Sequence, residues 1–158
     1  MMKIFPTKIL NFQLVGNQEE TLERLNRRTE KSDRLVSIST DKSFVGKVEK
    51  NKFRLISSKI ENGAFCVMSG IIDEEKGQVK VEIHKVFRFF MSIFLLFPII
   101  GFLILLITKQ EEFSLIMVLV VIGQILIIRY AFIELAFKLI SQRSLNRLRD
   151  VLDIEWIK

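Results

Sequence analysis

Apolar residues in this chain are gathered into two long runs in its second half. The first run, 89–108, holds twenty uncharged residues, and the second, 113–128, holds sixteen, with a polar break between them. A helix needs about 20 apolar residues to cross the hydrocarbon core of a bilayer, so the first run is long enough. The second becomes long enough by continuing past Arg129 to Ile133, with the arginine head group at the membrane surface. The pattern therefore predicts a transmembrane hairpin over residues 89–133.

The alternative is a soluble protein in which both runs are buried helices. Helices that are apolar on all sides must be surrounded completely by other structure. The remaining residues, 1–88 and 134–158, provide too little polar structure to surround two such helices. We therefore prefer the membrane hairpin.

Basic residues predict how the hairpin is oriented. Lys109 is the only basic residue in the polar break, whereas the outer flanks of both runs carry several lysines and arginines. Such residues stay on the cytoplasmic side of a membrane. We expect a two-span protein of the bacterial cytoplasmic (inner) membrane with both termini in the cytoplasm. No cleavable signal peptide is expected, because residues 1–15 lack a continuous apolar core. The residues expected at the membrane interface are Arg88, Arg129, Lys138 and Arg143.

Four residues inside the apolar runs are candidates for helix packing or for lining a pore: Pro98, Gly101, Gly123 and Gln124. Proline removes a backbone hydrogen bond and can kink a helix, although proline and glycine are also common in membrane helices. A glutamine in hydrocarbon seeks a partner across a helix interface. For Gln124, pairing with the first span is favoured over self-association or pore lining.

Most of residues 1–88 alternate between apolar and polar positions, with the period of two that is typical of β-strands. A first strand over 8–15 is followed by a helix, for which Asn17 is the predicted N-cap and Glu20 the capping-box residue. That helix is expected to end near Glu30. Further strands are predicted over 34–39, 43–49, 52–57, 64–72 and 78–87, with an Asn62–Gly63 hairpin turn before the fourth of them.

Beyond the hairpin, apolar positions recur every three or four residues, which predicts a helix to about Arg149. Glu134 and Lys138 have the spacing of a favourable ion pair on it. Residues 151–158 alternate loosely and are expected to return as a last strand. The predicted fold is an α+β membrane protein with three parts. These are a cytoplasmic domain (1–88) with a small antiparallel β-sheet or partial barrel and one helix, the transmembrane hairpin (89–133), and a cytoplasmic C-terminal helix and tail (134–158).

The formal net charge of +6 and the pI of about 9.6 raise the question of nucleic-acid binding. In residues 1–88, however, the basic residues are scattered among acidic ones and form no stripe. Attraction to anionic lipid head groups is therefore favoured over nucleic acid. The single cysteine excludes an internal disulfide, as expected for a cytoplasmic domain.

Residue types that carry catalysis or metal binding are sparse. Cys66 lies in an apolar run, and His84 is the only histidine. Together they cannot supply the four ligands of a structural zinc site, and as a nucleophile pair they lack a third, orienting group. The sequence has no glycine-rich phosphate loop and no Gly-x-Ser-x-Gly motif. We therefore predict no catalytic residue, no metal site and no cofactor, and a protein that is not an enzyme.

The segment FVGKV at 44–48 is followed by Phe53–Leu55, Gly70–Ile72, Gly77 and the two apolar runs. This order resembles a group of small uncharacterised bacterial membrane proteins, in which a Phe-x-Gly-x-Val hairpin and a Gly-Lys-Ile type strand precede two spans. The resemblance covers residues 3–108 and implies an architecture rather than an activity. The general plan is also similar to that of membrane-targeting effectors of bacterial antiphage systems, whose β domain binds a cyclic nucleotide but whose spans come first.

Two functional hypotheses follow. The first is a membrane-anchored cytoplasmic binding or sensor domain without catalytic chemistry, in which the hairpin serves as anchor and oligomerisation element. Its expected partners are membrane lipid, further copies of the chain or another protein, and a small-molecule ligand. The second is a pore-forming or membrane-disrupting effector, for example in antiphage defence, that a ligand at the β domain triggers. In that case Gln124 and the region from Pro98 to Gly101 would line the opening.

Overall fold

The computed structural model describes residues 5–59, 63–108 and 115–157. It contains two compact units. The helical unit is built around Lys85–Ala136, and the sheet unit comprises Pro6–His84 and Phe137–Lys158. The chain therefore leaves the sheet unit once and returns to it at its C-terminal end.

The sheet unit contains a seven-stranded sheet. Its strands are β1 (Thr7–Leu14), β2 (Thr29–Lys31), β3 (Phe44–Glu49), β4 (Lys52–Ser57), β5 (Cys66–Ile72), β6 (Lys76–Ile83) and β7 (Ile154–Ile157). Their spatial order is β2-β3-β4-β5-β6-β1-β7, with β2 and β7 at the edges. The predicted α+β class is confirmed, and so is the last strand, because β7 pairs with β1. Within the described residues the row of paired strands ends at β2 and at β7, so the sheet is not closed into a complete barrel, and the partial barrel that the sequence also allowed stays a prediction.

One strand pair differs from the predicted antiparallel arrangement: β2 runs parallel to β3. The helix that begins after Asn17, α1 (Gln18–Arg27), therefore ends before Glu30, because residues 29–31 are used in that pair. The predicted strand over 34–39 is also wrong. The predicted strand would need the free edge of β3, and β2 occupies that edge. Leu35 instead packs its side chain against a buried cluster that includes Val45 of β3.

The registers place the apolar residues of successive strands on one face. Leu10 is opposite Val79, Met68 is opposite Val81, and Leu55 is opposite Met68. The buried stripes of α1 and of α4 (Glu134–Leu152) complete this core. Side chains that are fully enclosed include Phe12, Leu25, Phe44, Leu55, Met68, Val81, Leu148 and Leu152.

The helical unit consists of α2 (Lys85–Thr108), α3 (Leu115–Leu126) and a π-helical segment (Ile127–Ile133) that leads into α4. α2 starts four residues before the predicted span, so the strand predicted to reach Phe87 ends at Ile83. The predicted polar break at 109–112 and residue Asn62 of the predicted hairpin turn lie outside the described residues. Gly63, the other turn residue, begins a 3-10 turn, Gly63–Phe65, that precedes β5.

Candidate functional site

Both long helices of the helical unit are apolar and exposed. The segments Lys85–Thr108 and Leu115–Leu152 are long and apolar enough to cross a membrane, and only 6% of the residues in the apolar part of each are buried. The side chains of Phe97, Ile107 and Leu115 each expose more than two thirds of their surface. These helices are therefore not the enclosed core helices of the soluble alternative.

The contact between α2 and α3 uses one face of α2. The half-buried and buried positions of α2 recur at helical spacing: Arg88, Met91, Ser92, Leu95, Pro98, Phe102 and Leu106. Pro98 is the one buried residue of α2, and the helix is continuous through it. Pro98 therefore lies on the more buried face of α2 and does not end the helix, and its role in helix packing or pore lining stays a prediction.

The other three candidates lie away from this contact. A Cβ atom added at Gly101 or Gly123 would meet no atom within 4 Å among the described residues. No described helix therefore packs closely against either glycine. Gln124 is exposed, and its amide makes no hydrogen bond within the described part of the chain. Within residues 5–59, 63–108 and 115–157, Gln124 therefore makes no hydrogen bond to the first span, which is the pairing that the sequence favoured.

Arg129 lies in the π-helical segment, and the geometry of this segment determines which residue the guanidinium pairs with. A π-helix brings residue i+5 beneath residue i, and the Arg129 guanidinium lies 2.9 Å from the Glu134 carboxylate, five residues on. The guanidinium also lies 5.2 Å from the centre of the Tyr130 ring, within the range of a cation–π contact. Glu134 thus pairs with Arg129, and the predicted pair with Lys138 is not formed.

The remaining residues expected at the membrane interface take different positions. Arg88 is half-buried, and its carbonyl accepts a hydrogen bond from the Ser92 hydroxyl. Lys138 and Arg143 are exposed on α4. The four residues therefore belong to three different elements, and their place at a membrane interface stays a prediction.

Cys66 and His84 do not make a reactive pair. Cys66 is almost fully buried, and this burial raises the pKa of its thiol to about 12, so the thiol stays protonated at neutral pH. The backbone N–H of His84 donates to the carbonyl of Phe65 and so extends the β5–β6 pair next to Cys66. Within residues 5–59, 63–108 and 115–157, no three His, Cys, Asp or Glu side chains are grouped to hold a metal ion.

Among the polar pockets on the described part of the sheet unit, two bring together separate segments of the chain and could hold a ligand. The first, of about 330 Å³, contains an ion pair of 2.8 Å between Lys47 and Asp33, and the Glu49 carboxylate lies 3.9 Å from the Lys47 ammonium. The hydrogen bond and charge of Lys47 lower the pKa of Asp33. Since the charges of this pocket neutralise one another, it offers little to a charged ligand.

The second pocket, of about 350 Å³, is named here the Arg147 pocket. It is lined by Ser39, Thr40, Asp41, Lys42, Ser58, Lys59 and Arg147. Two contacts fix its wall: the Thr40 hydroxyl accepts from the backbone N–H of Lys42 at 3.3 Å, and the Ser58 hydroxyl donates to the Lys42 carbonyl. Arg147 reaches the pocket from α4, where one guanidinium nitrogen lies 3.4 Å from the Ser57 hydroxyl.

Sequence reasoning missed this pocket. Its lining comes from the loop after β2, the two residues after β4 and the last third of α4, segments that are far apart along the chain. In the sequence, Arg147 is one of several basic residues at the end of a helix, and nothing distinguishes it from Arg143 or Arg149. The one indication in the sequence is the position of Arg147 on its helix. It directly precedes Leu148, which is buried, so Arg147 lies next to the face of α4 that packs in the core.

Comparisons of the chain with protein-family models, with curated proteins and with solved structures find no match.

Proposed function

We propose that this protein is a membrane-anchored cytoplasmic binding or sensor domain, in which two spans hold the sheet unit at the inner face of a bacterial cytoplasmic membrane. The observation that carries the proposal is the exposure of α2 and α3. More than a dozen large apolar side chains of α2 face outward. Soluble monomers rarely expose contiguous apolar patches larger than a few hundred Å², so lipid is the cover that fits this surface.

The lengths of the helices also fit the thickness of a lipid bilayer. At about 1.5 Å per residue, α2 is about 36 Å long, against about 30 Å for the hydrocarbon core. The second helix has its basic residue Arg129 paired with Glu134 where the apolar run ends. An ion pair costs less than a lone charge where the environment changes from lipid to water.

A continuous helix supports the sensor role. The second candidate span and α4 form one helix, Leu115–Leu152, whose last part carries the buried residues Leu145, Leu148 and Leu152 of the sheet unit. A ligand that binds the sheet unit with different affinity in two packing states of α4 would shift the balance between those states. The same helix would carry that shift to the span.

Membrane fractionation and reporter fusions test the proposal. We expect the full chain to remain in the membrane pellet after alkaline carbonate and to need detergent for extraction. A fluorescent reporter fused after Lys158 should be active in the cytoplasm, and a periplasmic phosphatase reporter fused there should be inactive. A chain that is monodisperse in plain buffer, or a phosphatase reporter that is active after Lys158, would contradict the proposal.

A pore-forming effector is the second candidate, and Gln124 favours it. The Gln124 amide is exposed on an apolar helix and has no hydrogen-bond partner in the described part of the chain; such an amide is costly in lipid unless another copy, or water in an opening, satisfies it. Inducible expression with a dye that reports membrane potential separates the two functions. Depolarisation that is lost in Gln124→Leu, but kept in the control Ile122→Leu on the same helix, would support a pore. A stable potential under induction would support the anchored binding domain.

A further inference from the structure

The Arg147 pocket has an excess of positive charge. Its lining has three cationic side chains, Lys42, Lys59 and Arg147, against one carboxylate, Asp41. Lys42 is neutralised from outside the lining, since its ammonium lies 3.0 Å from the Glu30 carboxylate. Among the described residues, neither Lys59 nor Arg147 has a carboxylate within 4 Å. The positive charge that the pocket can offer to a ligand is therefore that of Lys59 and Arg147.

Arg147 is the less solvated of these two cations. It is half-buried, and this burial lowers the pKa of its guanidinium, because the charged form loses water without gaining a counter-charge. Its one hydrogen bond within the described chain is the long contact with the Ser57 hydroxyl. A guanidinium has five N–H donors, so most of its donors remain available to an acceptor.

Hydroxyl groups complete the lining. The Thr40 oxygen already accepts from the backbone, so its own proton remains available for donation to a ligand. Ser39 adds another hydroxyl at the exposed rim. Arginine, lysine and hydroxyl donors together are the groups that recognise phosphate oxygens, and arginine does so with two parallel N–H bonds.

We propose that the Arg147 pocket binds a phosphate monoester group, with Arg147 and Lys59 as its charged ligands and the Thr40 hydroxyl as a further donor. This assignment rests on the proposed binding function and names its ligand class. The described lining contains no aromatic and no aliphatic side chain, so it recognises the phosphate and not a nucleobase stacked beside it. The phosphate is carried either by a soluble metabolite or by a lipid head group.

Titration calorimetry on the full-length protein in lipid nanodiscs tests the site and separates these sources. One arm uses phosphatidylcholine nanodiscs and adds inorganic phosphate at constant ionic strength, with chloride as reference. The other arm compares nanodiscs with and without phosphatidate and measures protection of the backbone amides of 39–42 by hydrogen exchange. Saturable phosphate binding assigns a soluble ligand, and protection by phosphatidate alone assigns the head group. Absence of both effects overturns the proposal.

Three variants make the assignment specific. Arg147→Gln should weaken binding about tenfold or more, since a charged hydrogen-bonding group is lost, and Lys59→Gln should weaken it several-fold. The matched control is Arg149→Gln, on the same helix but outside the lining, where the arginine pairs with Asp150; its affinity should be unchanged. Equal weakening by Arg149→Gln would show general surface attraction and overturn the site.

Two further measurements keep the test decisive: the affinity of Lys59→Gln and the membrane fractionation of the samples. If Arg147→Gln does not fold, Lys59→Gln decides, because Lys59 is exposed and contributes nothing to the core; unchanged affinity in that variant overturns the proposal. Membrane fractionation of the same samples keeps the two proposals apart. Protein that is membrane-bound but binds no phosphate contradicts the ligand alone, whereas protein in the soluble fraction contradicts the anchored function.

Discussion

Two glycines of the sheet unit lie beneath aromatic rings. Gly77 is opposite Phe12 in the β1–β6 pair, and Gly70 is opposite Phe53 in the β4–β5 pair. A Cβ atom added at Gly77 would overlap the Phe12 ring, and one added at Gly70 would overlap the Phe53 ring. Glycine is needed at both positions because the ring covers the neighbouring backbone.

Gly77→Ala should therefore destabilise the sheet unit. We expect a loss of about 1–3 kcal/mol in the free energy of unfolding, because the Phe12 ring must move in a packed core. Trp156 packs edge-to-face on Phe12 with ring centres 6.1 Å apart, so its fluorescence reports the change during unfolding in detergent. The control is Gly16→Ala, whose nearest contact of 3.5 Å is ordinary. Equal stability of the two variants would contradict the packing argument.

The buried thiol of Cys66 makes stability depend on pH. Its pKa is raised from 9.0 to about 12 in the folded protein, so between these values the unfolded state loses a proton that the folded state keeps. The free energy of unfolding should fall as pH rises through this window, by about 1.4 kcal/mol per pH unit from this group. Cys66→Ala should remove that part of the slope. An identical slope in both proteins, measured by denaturant unfolding between pH 8 and 10 (roughly the onset of the window), would contradict the assignment.

At the scale of elements, α4 carries two kinds of apolar residue. Leu148 is fully buried in the sheet unit, whereas Leu139 exposes about half of its surface on the same helix. Both are leucines in a helix interior, so their intrinsic helix propensities are the same. The two leucines differ only in how much of each side chain is packed against other residues.

Leu148→Ala should cost about 2–5 kcal/mol of stability, because it leaves a cavity in the core beneath the sheet. Leu139→Ala should cost no more than about 0.5 kcal/mol in detergent, as for an exposed position. Chemical unfolding followed by circular dichroism measures both. A comparable cost at the two positions would mean that the last turns of α4 do not belong to the core.

The π-helical segment is another element whose geometry has a consequence. Seven residues, Ile127–Ile133, adopt the wider helix just where the apolar run changes into the amphipathic α4. In an α-helix, residues five apart do not face each other, whereas here Arg129 and Glu134 do. The segment thereby neutralises Arg129, the arginine that comes directly after the second apolar run.

At the scale of the whole molecule, the proposed placement of α3 in lipid and the exposed amide of Gln124 together predict self-association. Gln124→Leu should weaken association between copies by about 0.6–2 kcal/mol, since an interhelical hydrogen bond in lipid contributes that much. Energy transfer between labelled copies in vesicles of increasing dilution measures the change. Ile122→Leu is the matched control, because it alters an exposed apolar residue of the same helix. Unchanged association in Gln124→Leu would remove Gln124 from the contact.

The period-two pattern was sufficient for most strands, and its failures have clear causes. Leu35, Val36 and Ile38 have a strand-like spacing, yet Val36 and Ile38 are exposed and only Leu35 packs on the sheet. Whether such a segment becomes a strand depends on a free edge, and the short β2 occupies that edge through a parallel pair. A three-residue parallel strand directly after a helix leaves no pattern in the sequence.

The sequence by itself determined the two long apolar helices, the capped first helix and the inward faces of most strands. These follow from local periodicity, because a helix or strand buries residues at a fixed spacing. Only the tertiary structure decided the strand order, the exposure of Gln124 and the lining of the Arg147 pocket. Each depends on which distant segments meet, and a pocket built from residues 39–42, 58–59 and 147 exists only once the sheet and α4 have packed together.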